Sequence, residues 1–192
     1  MKRSLVILDD FHPDPLAVRH KALVSDFQTV RFGGTDFHGV AAAAGAVDHA
    51  LIEQAVGFPA KVNLEFFRIG LSGAPMTSYI HCDQNCGEFA TVLYLNLPDQ
   101  FHGGTSFWRH LRTGCEALPA NANDEERRIF AADGLQEAAW KLELFVPMHW
   151  NRLLVYPTRV FHSRYPNNVL ADDKQEARLV HVSFFDRKES ET

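Results

Sequence analysis

The sequence predicts an α+β protein built around a β-sandwich or jelly roll. Two observations predict it: helical patterns occupy the N-terminal third and one later insertion, whereas short β-type runs crowd the rest of the chain. The chain has 192 residues, 46% of them apolar, which is enough for one domain with its own core. We therefore expect a single domain over residues 1–192, with a strand and supporting helices in 1–60 and the jelly-roll core in 61–186, interrupted by a helical insertion at about 120–140.

The N-terminal part is predicted as a strand, a helix, a loop and a second helix. "SLVILDDF" is a short β-type run. In the segment that follows, Asp14 can cap a helix that has Pro15 in its first turn. A second helix is predicted over roughly residues 47–56, where apolar residues recur at helical spacing. The Gly- and Ala-rich stretch between the two helices is predicted as a loop.

The C-terminal two thirds are predicted to consist mainly of strands. At least seven β-type runs follow one another, namely "KVNLEFFRIGL", "TSYIH", "EFATVLYLNL", "GGTSFW", "NRLLVYP", "VFHSRY" and "ARLVHVSFFD". One helical pattern, roughly from Asp124 to Trp140 with Gly134 inside it, is predicted as an insertion between strands.

Composition narrows the classes of partner. The net charge is −5 and no segment carries a Lys/Arg cluster, so nothing indicates a nucleic-acid or anionic-membrane partner. The apolar run near the N-terminus is too short for a signal sequence or a membrane span. Three cysteines without a Cys-x-x-Cys pair are typical of a reducing cytoplasm. We therefore expect a cytoplasmic protein whose ligand is a small molecule or a peptide.

His81 and Asp83, in "SYIHCDQ", are the first candidate metal ligands. If this segment is a strand, side chains at i and i+2 point to the same face and present an imidazole beside a carboxylate. Two histidines and one carboxylate can hold Fe(II) on one face and leave the opposite positions open, and His162 in "RVFHSRYP" can be the third ligand. His-x-Asp pairs also arise by chance, and a histidine in an apolar run is more often a core or surface residue, so the pattern alone leaves both interpretations open.

Arg178, which opens the apolar run "ARLVHVSFF", is a candidate for binding an acid. A buried guanidinium is costly unless a carboxylate meets its planar fork. Strand alternation places Arg178 on the face opposite His181. The alternative interpretation is an edge-strand arginine paired with Asp172 or Asp173.

The order of five segments carries a family resemblance. "YIHCD", "TVLYLN", "GGTSF", "NRLLVYPTRVFHSRYP" and "ARLVHVSFFD" together resemble the iron(II)- and 2-oxoglutarate-dependent dioxygenases, most closely their prolyl-hydroxylase-like branch, over roughly residues 62–186. The resemblance implies a double-stranded β-helix, which is a jelly roll, with the N-terminal helices packed on one sheet. It implies Fe(II) as the metal and 2-oxoglutarate as co-substrate.

The resemblance also assigns roles to individual residues. His81, Asp83 and His162 match the iron ligands of the family. Arg178 and Tyr94 match the residues that bind the far carboxylate of 2-oxoglutarate. The loop between His162 and Arg178 is longer than the family's usual spacing, so Arg164, two residues after His162, competes for that carboxylate.

The implied reaction is the oxidation of an unactivated C–H bond by O₂, with 2-oxoglutarate decarboxylated to succinate and CO₂. The substrate is expected to be a peptide, an amino acid or a small metabolite, because the same scaffold hosts all three. Apolar residues suited to line the site are Leu93, Leu95, Val180 and Phe184. Candidates for substrate contact, near the mouth of the site in the resemblance, are His102, His110, Trp108 and Arg109.

Three other functions are compatible with the same residues. "YPTRVFHSRYPN" loosely resembles a cupin motif, with Glu88 as an additional ligand, although Arg159 stands where that motif usually has glycine. A second alternative is a jelly roll that senses 2-oxoglutarate without turnover. A third is a zinc hydrolase that uses the same triad, in which Tyr94 and Arg178 have no role.

Overall fold

The computed structural model of the protein describes residues 5–32, 35–73, 79–100, 103–167 and 171–188. The strands of these residues are β1 (Val6–Leu8), β2 (Gln28–Phe32), β3 (Thr35–Ala42), β4 (Ala60–Gly70), β5 (Phe89–Tyr94), β6 (Gly104–His110), β7 (Trp140–Pro147), β8 (Leu153–Pro157), β9 (His162–Tyr165) and β10 (Arg178–Arg187). The α-helices are α1 (Pro15–Leu23), α2 (His49–Val56) and α3 (Asp124–Asp133). Within the described ranges, no helix is both long and apolar enough to cross a membrane.

The strands form two antiparallel sheets. The larger sheet has the order β1-β8-β5-β10-β4-β3-β2, and the smaller sheet has the order β7-β6-β9. A buried cluster joins them, with Val92, Tyr156 and Val180 from the larger sheet and Phe107 and Val146 from the smaller one. The space between the two sheets is therefore an apolar core, as in a β-sandwich.

The helices cover the outer faces of both sheets. Val18 of α1 and Ile52 of α2 belong to one buried cluster with Phe67 and Leu179 of the larger sheet. The predicted start of α1 is confirmed, because the Asp14 carboxylate accepts the Ala17 N–H at 3.0 Å and Pro15 opens the helix. The predicted packing of the N-terminal helices on one sheet is therefore present.

Helix α3 covers the smaller sheet. Phe130 of α3 packs with Trp140 and Phe161, with ring centroids 6.4 and 4.8 Å apart. Asn123 begins the helix with a capping box, in which its side chain accepts the Glu126 N–H and Glu126 accepts the Asn123 N–H. The predicted start of the helix at Asp124 is therefore confirmed.

The predicted end of α3 is wrong. The helix stops at Asp133, and Trp140 is already the first residue of β7, a strand that the sequence analysis missed. Gly134 accepts the Ile80 N–H at 2.8 Å, and a Cβ at position 134 would lie 2.7 Å from the Ile80 carbonyl oxygen. Gly134 is the C-cap of the helix, and its missing Cβ lets the backbone at Ile80 pack closely against it.

The loop predicted between α1 and α2 is also wrong, because β2 and β3 form a hairpin there. All five residues of β2 are exposed, so the strand has no buried face, and only Val30 and Phe32 alternate with polar residues, which is too short a pattern to predict a strand. Strand β3 extends the larger sheet by pairing with β4, where Val40 lies opposite Arg68.

Candidate metal centre

The structure brings together the three candidate metal ligands, His81, Asp83 and His162. Their ligand atoms all lie within 4.8 Å of one another. The Asp83 carboxylate lies between the two imidazoles, 3.6 Å from His81 Nε2 and 3.1 Å from His162 Nε2. Two imidazole nitrogens and one carboxylate oxygen at this spacing could hold a single metal ion.

A backbone bridge, not a strand, positions His81. The strand predicted at "TSYIH" is wrong at Tyr79 and Ile80, and its first residues lie outside the described ranges. The His81 N–H donates to the His162 carbonyl at 3.0 Å, and the His162 N–H donates back at 2.9 Å. The Asp83 N–H donates to the Thr158 carbonyl at 2.7 Å. The backbone hydrogen bonds to His162 and Thr158 therefore hold His81 and Asp83 with their side chains directed at the His162 side chain.

The tautomers of both histidines suit metal binding. His81 Nδ1 lies 2.9 Å from the Tyr79 carbonyl oxygen, and His162 Nδ1 lies 3.0 Å from the Val160 carbonyl oxygen. A carbonyl only accepts hydrogen bonds, so each Nδ1 carries the proton in the neutral ring. Each Nε2 is then left with a lone pair directed at the centre of the triad, the arrangement found in most metal-bound histidines.

The two histidines favour the charged form of Asp83. Burial alone would raise the pKa of Asp83, but His162 and His81 outweigh it and lower that pKa. Burial lowers the pKa of His81, against the attraction of Asp83. The Asp83 side chain is therefore a carboxylate at neutral pH, which is the form that binds metal.

Arg178 and Tyr94 lie together in the space between the sheets. The Arg178 guanidinium lies 5.6 Å from the centre of the Tyr94 ring, and the Tyr94 hydroxyl lies 2.7 Å from Thr105 Oγ1. Arg178 Nε is buried and has no hydrogen-bond partner among the described residues. A buried donor without an acceptor, beside a phenol, fits a bound carboxylate.

The alternative interpretation of Arg178 does not match its position. Strand β10 lies between β5 and β4 in the larger sheet, so it is a central strand and not an edge. In the part of the chain that the structure describes, neither Asp172 nor Asp173 forms an ion pair with Arg178. His181 faces the other side of the sheet, as predicted, with its Nε2 3.4 Å from the Glu65 carboxylate.

Two further arginines accompany Arg178. Arg164 lies two residues after His162 on β9, and Arg68 lies on β4. Burial, Arg164 and Arg178 together lower the pKa of Arg68 to about 10. Burial and Arg178 lower the pKa of Arg164. The sequence analysis missed Arg68, although an arginine inside the apolar run "EFFRIG" is the same signal that singled out Arg178.

The residues expected to line the site divide between two cores. Val180 and Phe184 belong to the cluster between the sheets, and this cluster also borders the triad, because the Tyr156 ring lies 4.9 Å from the His162 ring. Leu93 and Leu95 instead pack beneath the helices. Strand alternation explains the difference, because Leu93 is paired with the outward-facing His181.

The residues suggested for substrate contact have partners within the protein where the structure describes them. Trp108 is buried under α3, and its indole N–H donates to Ser163 Oγ at 2.9 Å. Arg109 forms ion pairs with Glu116 and Glu143. His110 is fully buried, with its Nε2 2.9 Å from the Asp133 carboxylate. His102 lies outside the described residues.

The extra ligand of the cupin-like alternative is also not in place. The metal-binding group of the described residues contains the triad without Glu88. Arg159, at the position where the cupin motif has glycine, donates from Nε to the Leu118 carbonyl at 2.9 Å and so holds the preceding loop.

A family model described as "Family of unknown function (DUF6445)" matches residues 1–185. Among curated proteins, none matches.

Several solved structures share the fold. HygX from Streptomyces hygroscopicus, with nickel and 2-oxoglutarate bound, has 14% identity and a TM-score of 0.53, with 96% of this chain and 83% of that chain covered. The non-heme alpha ketoglutarate dependent epimerase SnoN from nogalamycin biosynthesis has 14% identity and a TM-score of 0.55, covering 96% and 78%. EctD from S. alaskensis, with 2-oxoglutarate and 5-hydroxyectoine, has 10% identity and a TM-score of 0.52, covering 96% and 72%. The chain therefore has the mostly antiparallel fold of these 2-oxoglutarate-binding proteins.

Proposed function

The chain belongs to the family of unknown function DUF6445, and from the site it carries we propose that it is an iron(II)- and 2-oxoglutarate-dependent oxygenase. One observation carries the proposal: the convergence of His81, Asp83 and His162 beside the buried, unsatisfied Nε of Arg178. We further propose that residues 1–192 form one domain and that its two sheets are the double-stranded β-helix of a jelly roll.

His81, Asp83 and His162 would hold Fe(II) through the two Nε2 atoms and the carboxylate. A triad of this kind occupies one face of the metal and leaves the other positions open. When bound, the metal supplies the redox chemistry by which O₂ oxidises a C–H bond while 2-oxoglutarate is decarboxylated to succinate and CO₂. The Tyr79 and Val160 carbonyls keep both imidazoles in the binding orientation.

Arg178 and Tyr94 would bind the far carboxylate of 2-oxoglutarate. The guanidinium fork matches a carboxylate in two hydrogen bonds, and the vacant hydrogen-bonding position of Arg178 Nε supports this use. Burial raises the pKa of Tyr94, so its hydroxyl stays neutral and able to donate. We favour Arg178 over Arg164 because the Arg178 guanidinium lies against the Tyr94 ring.

The substrate would be a peptide, an amino acid or a small metabolite in the cytoplasm. The order of the sequence motifs favours the prolyl-hydroxylase-like branch. EctD, whose structure contains 5-hydroxyectoine, is a neighbour that holds a small molecule on the same fold. Both substrate classes therefore belong in a screen, with succinate release as the common readout.

The test is anaerobic addition of Fe(II) and 2-oxoglutarate to the purified protein. We expect a visible metal-to-ligand charge-transfer band, because 2-oxoglutarate chelated to Fe(II) absorbs in this way. The band should vanish in His162→Ala, weaken in Arg178→Ala and persist in the control His20→Ala, which changes an exposed histidine of α1. Absence of the band in the wild type would contradict the proposed chelate.

Oxygen then separates turnover from binding. An oxygenase should release succinate when O₂ and a suitable candidate substrate are added. A band without succinate from any candidate would indicate a protein that senses 2-oxoglutarate. Hydrolysis supported by zinc and indifferent to 2-oxoglutarate would indicate the hydrolase.

A further inference from the structure

We infer that Arg68 and Arg164 form a binding site for an anionic group, a carboxylate or a phosphate, on the molecule to be oxidised. The inference rests on the proposed function, in which Arg178 binds 2-oxoglutarate and the substrate is held beside the triad. It narrows the substrate class to acids.

Arg68 faces the space between the sheets. It lies opposite Val180 of β10, and Val180 lies opposite Tyr94 of β5. Directly opposed residues of antiparallel strands share a face, so Arg68 is on the face that carries Tyr94. The Arg68 guanidinium also lies 5.8 Å from the centre of the Phe37 ring, whose π-face offers it a weak attraction.

Arg164 approaches the same space from the smaller sheet. It lies opposite Thr105 of β6, and the Thr105 hydroxyl meets the Tyr94 hydroxyl at 2.7 Å. Alternation also places Arg164 on the face of β9 that carries His162. The two guanidiniums therefore come from opposite sheets and converge near the triad.

Neither arginine has an acidic partner in the described part of the chain. The only carboxylate there that attracts Arg68 appreciably is that of Asp83, which is assigned to the metal. The internal segments outside the described ranges, 33–34, 74–78, 101–102 and 168–170, contain no Asp or Glu in the sequence. A partner acid for these arginines is therefore absent from the described residues and from those internal segments.

Like charges held together away from water need a counter-ion. Arg68 and Arg164 are both only partly exposed, and burying a guanidinium without an anion is unfavourable. Three guanidiniums and a ferrous ion exceed Asp83 and the two carboxylates of 2-oxoglutarate by about two positive charges. A substrate with one phosphate, or with two carboxylates, would balance that excess, and a single carboxylate would halve it.

The experiment measures anion binding directly. The protein is loaded with nickel(II) in place of iron(II), to prevent turnover, and with 2-oxoglutarate, and is then titrated calorimetrically with inorganic phosphate, acetate and neutral acetamide. We expect the wild type to bind phosphate or acetate but not acetamide. The better of the two anions identifies the phosphate or carboxylate class.

Four variants locate the site. Arg68→Gln and Arg164→Gln should each weaken anion binding about tenfold or more, the usual loss for one charge-assisted hydrogen bond. Arg68→Lys should retain part of the affinity. Arg128→Gln, which removes an exposed arginine of α3, should change nothing. Thermal unfolding of each variant shows that it is folded at the temperature of the titration.

The possible negative results distinguish failure of the anion-site inference from failure of the proposed function. Unchanged anion binding in Arg68→Gln and Arg164→Gln would place the anion on the metal or elsewhere and overturn the inference. Loss of 2-oxoglutarate affinity in Arg68→Gln, with anion binding retained, would assign Arg68 to the co-substrate and also overturn it. If the wild type fails to bind 2-oxoglutarate, the proposed function fails, and phosphate and acetate titrations of the metal-free wild type and Arg68→Gln still decide whether the arginine pair binds anions.

Discussion

The side-chain amide of Asn96 holds the backbone on both sides of Arg178. Asn96 Nδ2 donates to the Ala177 carbonyl at 2.8 Å, and Asn96 Oδ1 accepts the Leu179 N–H at 2.8 Å. Asn96 is fully buried, so both bonds are protected from water. Arg19 supports the same region by donating to the Leu95 carbonyl at 2.8 Å. The position of Arg178 therefore depends on residues that do not touch the triad.

Replacing Asn96 should weaken 2-oxoglutarate binding without changing metal binding. Asn96→Ala leaves the buried Leu179 N–H without its acceptor, which costs about 1–3 kcal/mol of the free energy of unfolding, and it frees the start of β10. We expect lower 2-oxoglutarate affinity by calorimetry and unchanged Fe(II) affinity. The control Asn63→Ala removes an amide bonded to Asp186 at 2.8 Å, away from Arg178. Equal 2-oxoglutarate affinity in the folded Asn96→Ala variant would show that Asn96 does not position Arg178.

Metal binding should depend on all three residues of the triad. His81→Ala and His162→Ala each remove one nitrogen ligand, and Asp83→Asn removes the charge that joins the two imidazoles. We expect each to lower Fe(II) affinity by about 100-fold or more, measured by competition with a chelator, because loss of even an outer partner of a ligand commonly costs 10–100-fold. His20→Ala should bind as the wild type does. Stoichiometric iron in Asp83→Asn would contradict the assignment.

Acid should weaken metal binding by the triad, and the two histidines should take up protons in a defined order. Protons compete with metal for the imidazole nitrogens, so affinity falls as the pH falls. Burial alone would lower the pKa of His162, but Asp83 raises it, whereas burial lowers the pKa of His81. In the metal-free protein, we expect His162 to protonate first and His81 at lower pH. Imidazole resonances followed by NMR during an acid titration measure that order, and the reverse order would contradict the charge coupling between Asp83 and His162.

Glu65 should contribute stability that acid removes. Its carboxylate lies 3.4 Å from the Nε2 atoms of both His181 and His49, and accepts the Gly45 N–H at 3.0 Å. Burial would raise the pKa of Glu65, but His181 and Gly45 lower it below the ordinary 4.5. A lowered folded-state pKa stabilises the protein above pH 4.5, and that stability is lost as the pH falls from 4.5 through the folded value.

The measurement compares Glu65→Gln with the wild type across pH. At pH 6–7 we expect the variant to be less stable by about 1–3 kcal/mol, the usual loss when a partly buried charged hydrogen bond is removed. The difference should shrink below pH 4.5, as the wild-type carboxylate takes up a proton. Glu125→Gln, at an exposed position of α3, is the control and should show little difference at any pH. A difference that stays constant down to pH 3 would contradict the role of the Glu65 charge.

The sequence predicted the triad because its signals are local. His81 and Asp83 are two residues apart, and His162 lies in a recognisable run, although the strand used to align the first two is really a bridge to His162. Arg68 lies in an apolar run, as Arg178 does, but its place beside Tyr94 and Arg178 depends on register, because only the pairing of β4 with β10 sets it opposite Val180. Contacts between residues more than 100 positions apart in the chain are not visible in local patterns.

Strands β2 and β7 were missed because their local sequence patterns are weak or overlap a neighbouring pattern. Strand β2 has no buried residue, so its place in the sheet comes from pairing with β3 alone. Strand β7 was missed although "KLELF" alternates charged and apolar residues, because the helical pattern assigned before it extended over its first residue. Elements with a buried face or a capping signal, such as α1 and β10, were predicted close to their observed bounds.

Arg68 should lower the stability of the protein in the absence of an anion. Its pKa is lowered from 12.5 to about 10 because burial, Arg164 and Arg178 disfavour the charged form. For a base, a folded-state pKa below the ordinary value means that the charged form is penalised in the folded state throughout the neutral range. Replacing Arg68 with the uncharged Met, which keeps the length of the side chain, should therefore raise the free energy of unfolding by about 1–3 kcal/mol and the midpoint of thermal unfolding by several degrees. A residue kept at such a cost is typical of a binding site, where stability is given up for function.

Arg152→Met is the matched control with the opposite expectation. Arg152 donates from Nε and Nη2 to Asp9 at 2.6 and 2.9 Å, so its loss should lower the free energy of unfolding. Thermal unfolding in a buffer without phosphate or carboxylate measures both, and a destabilised Arg68→Met variant would show that Arg68 has a stabilising partner in the protein itself.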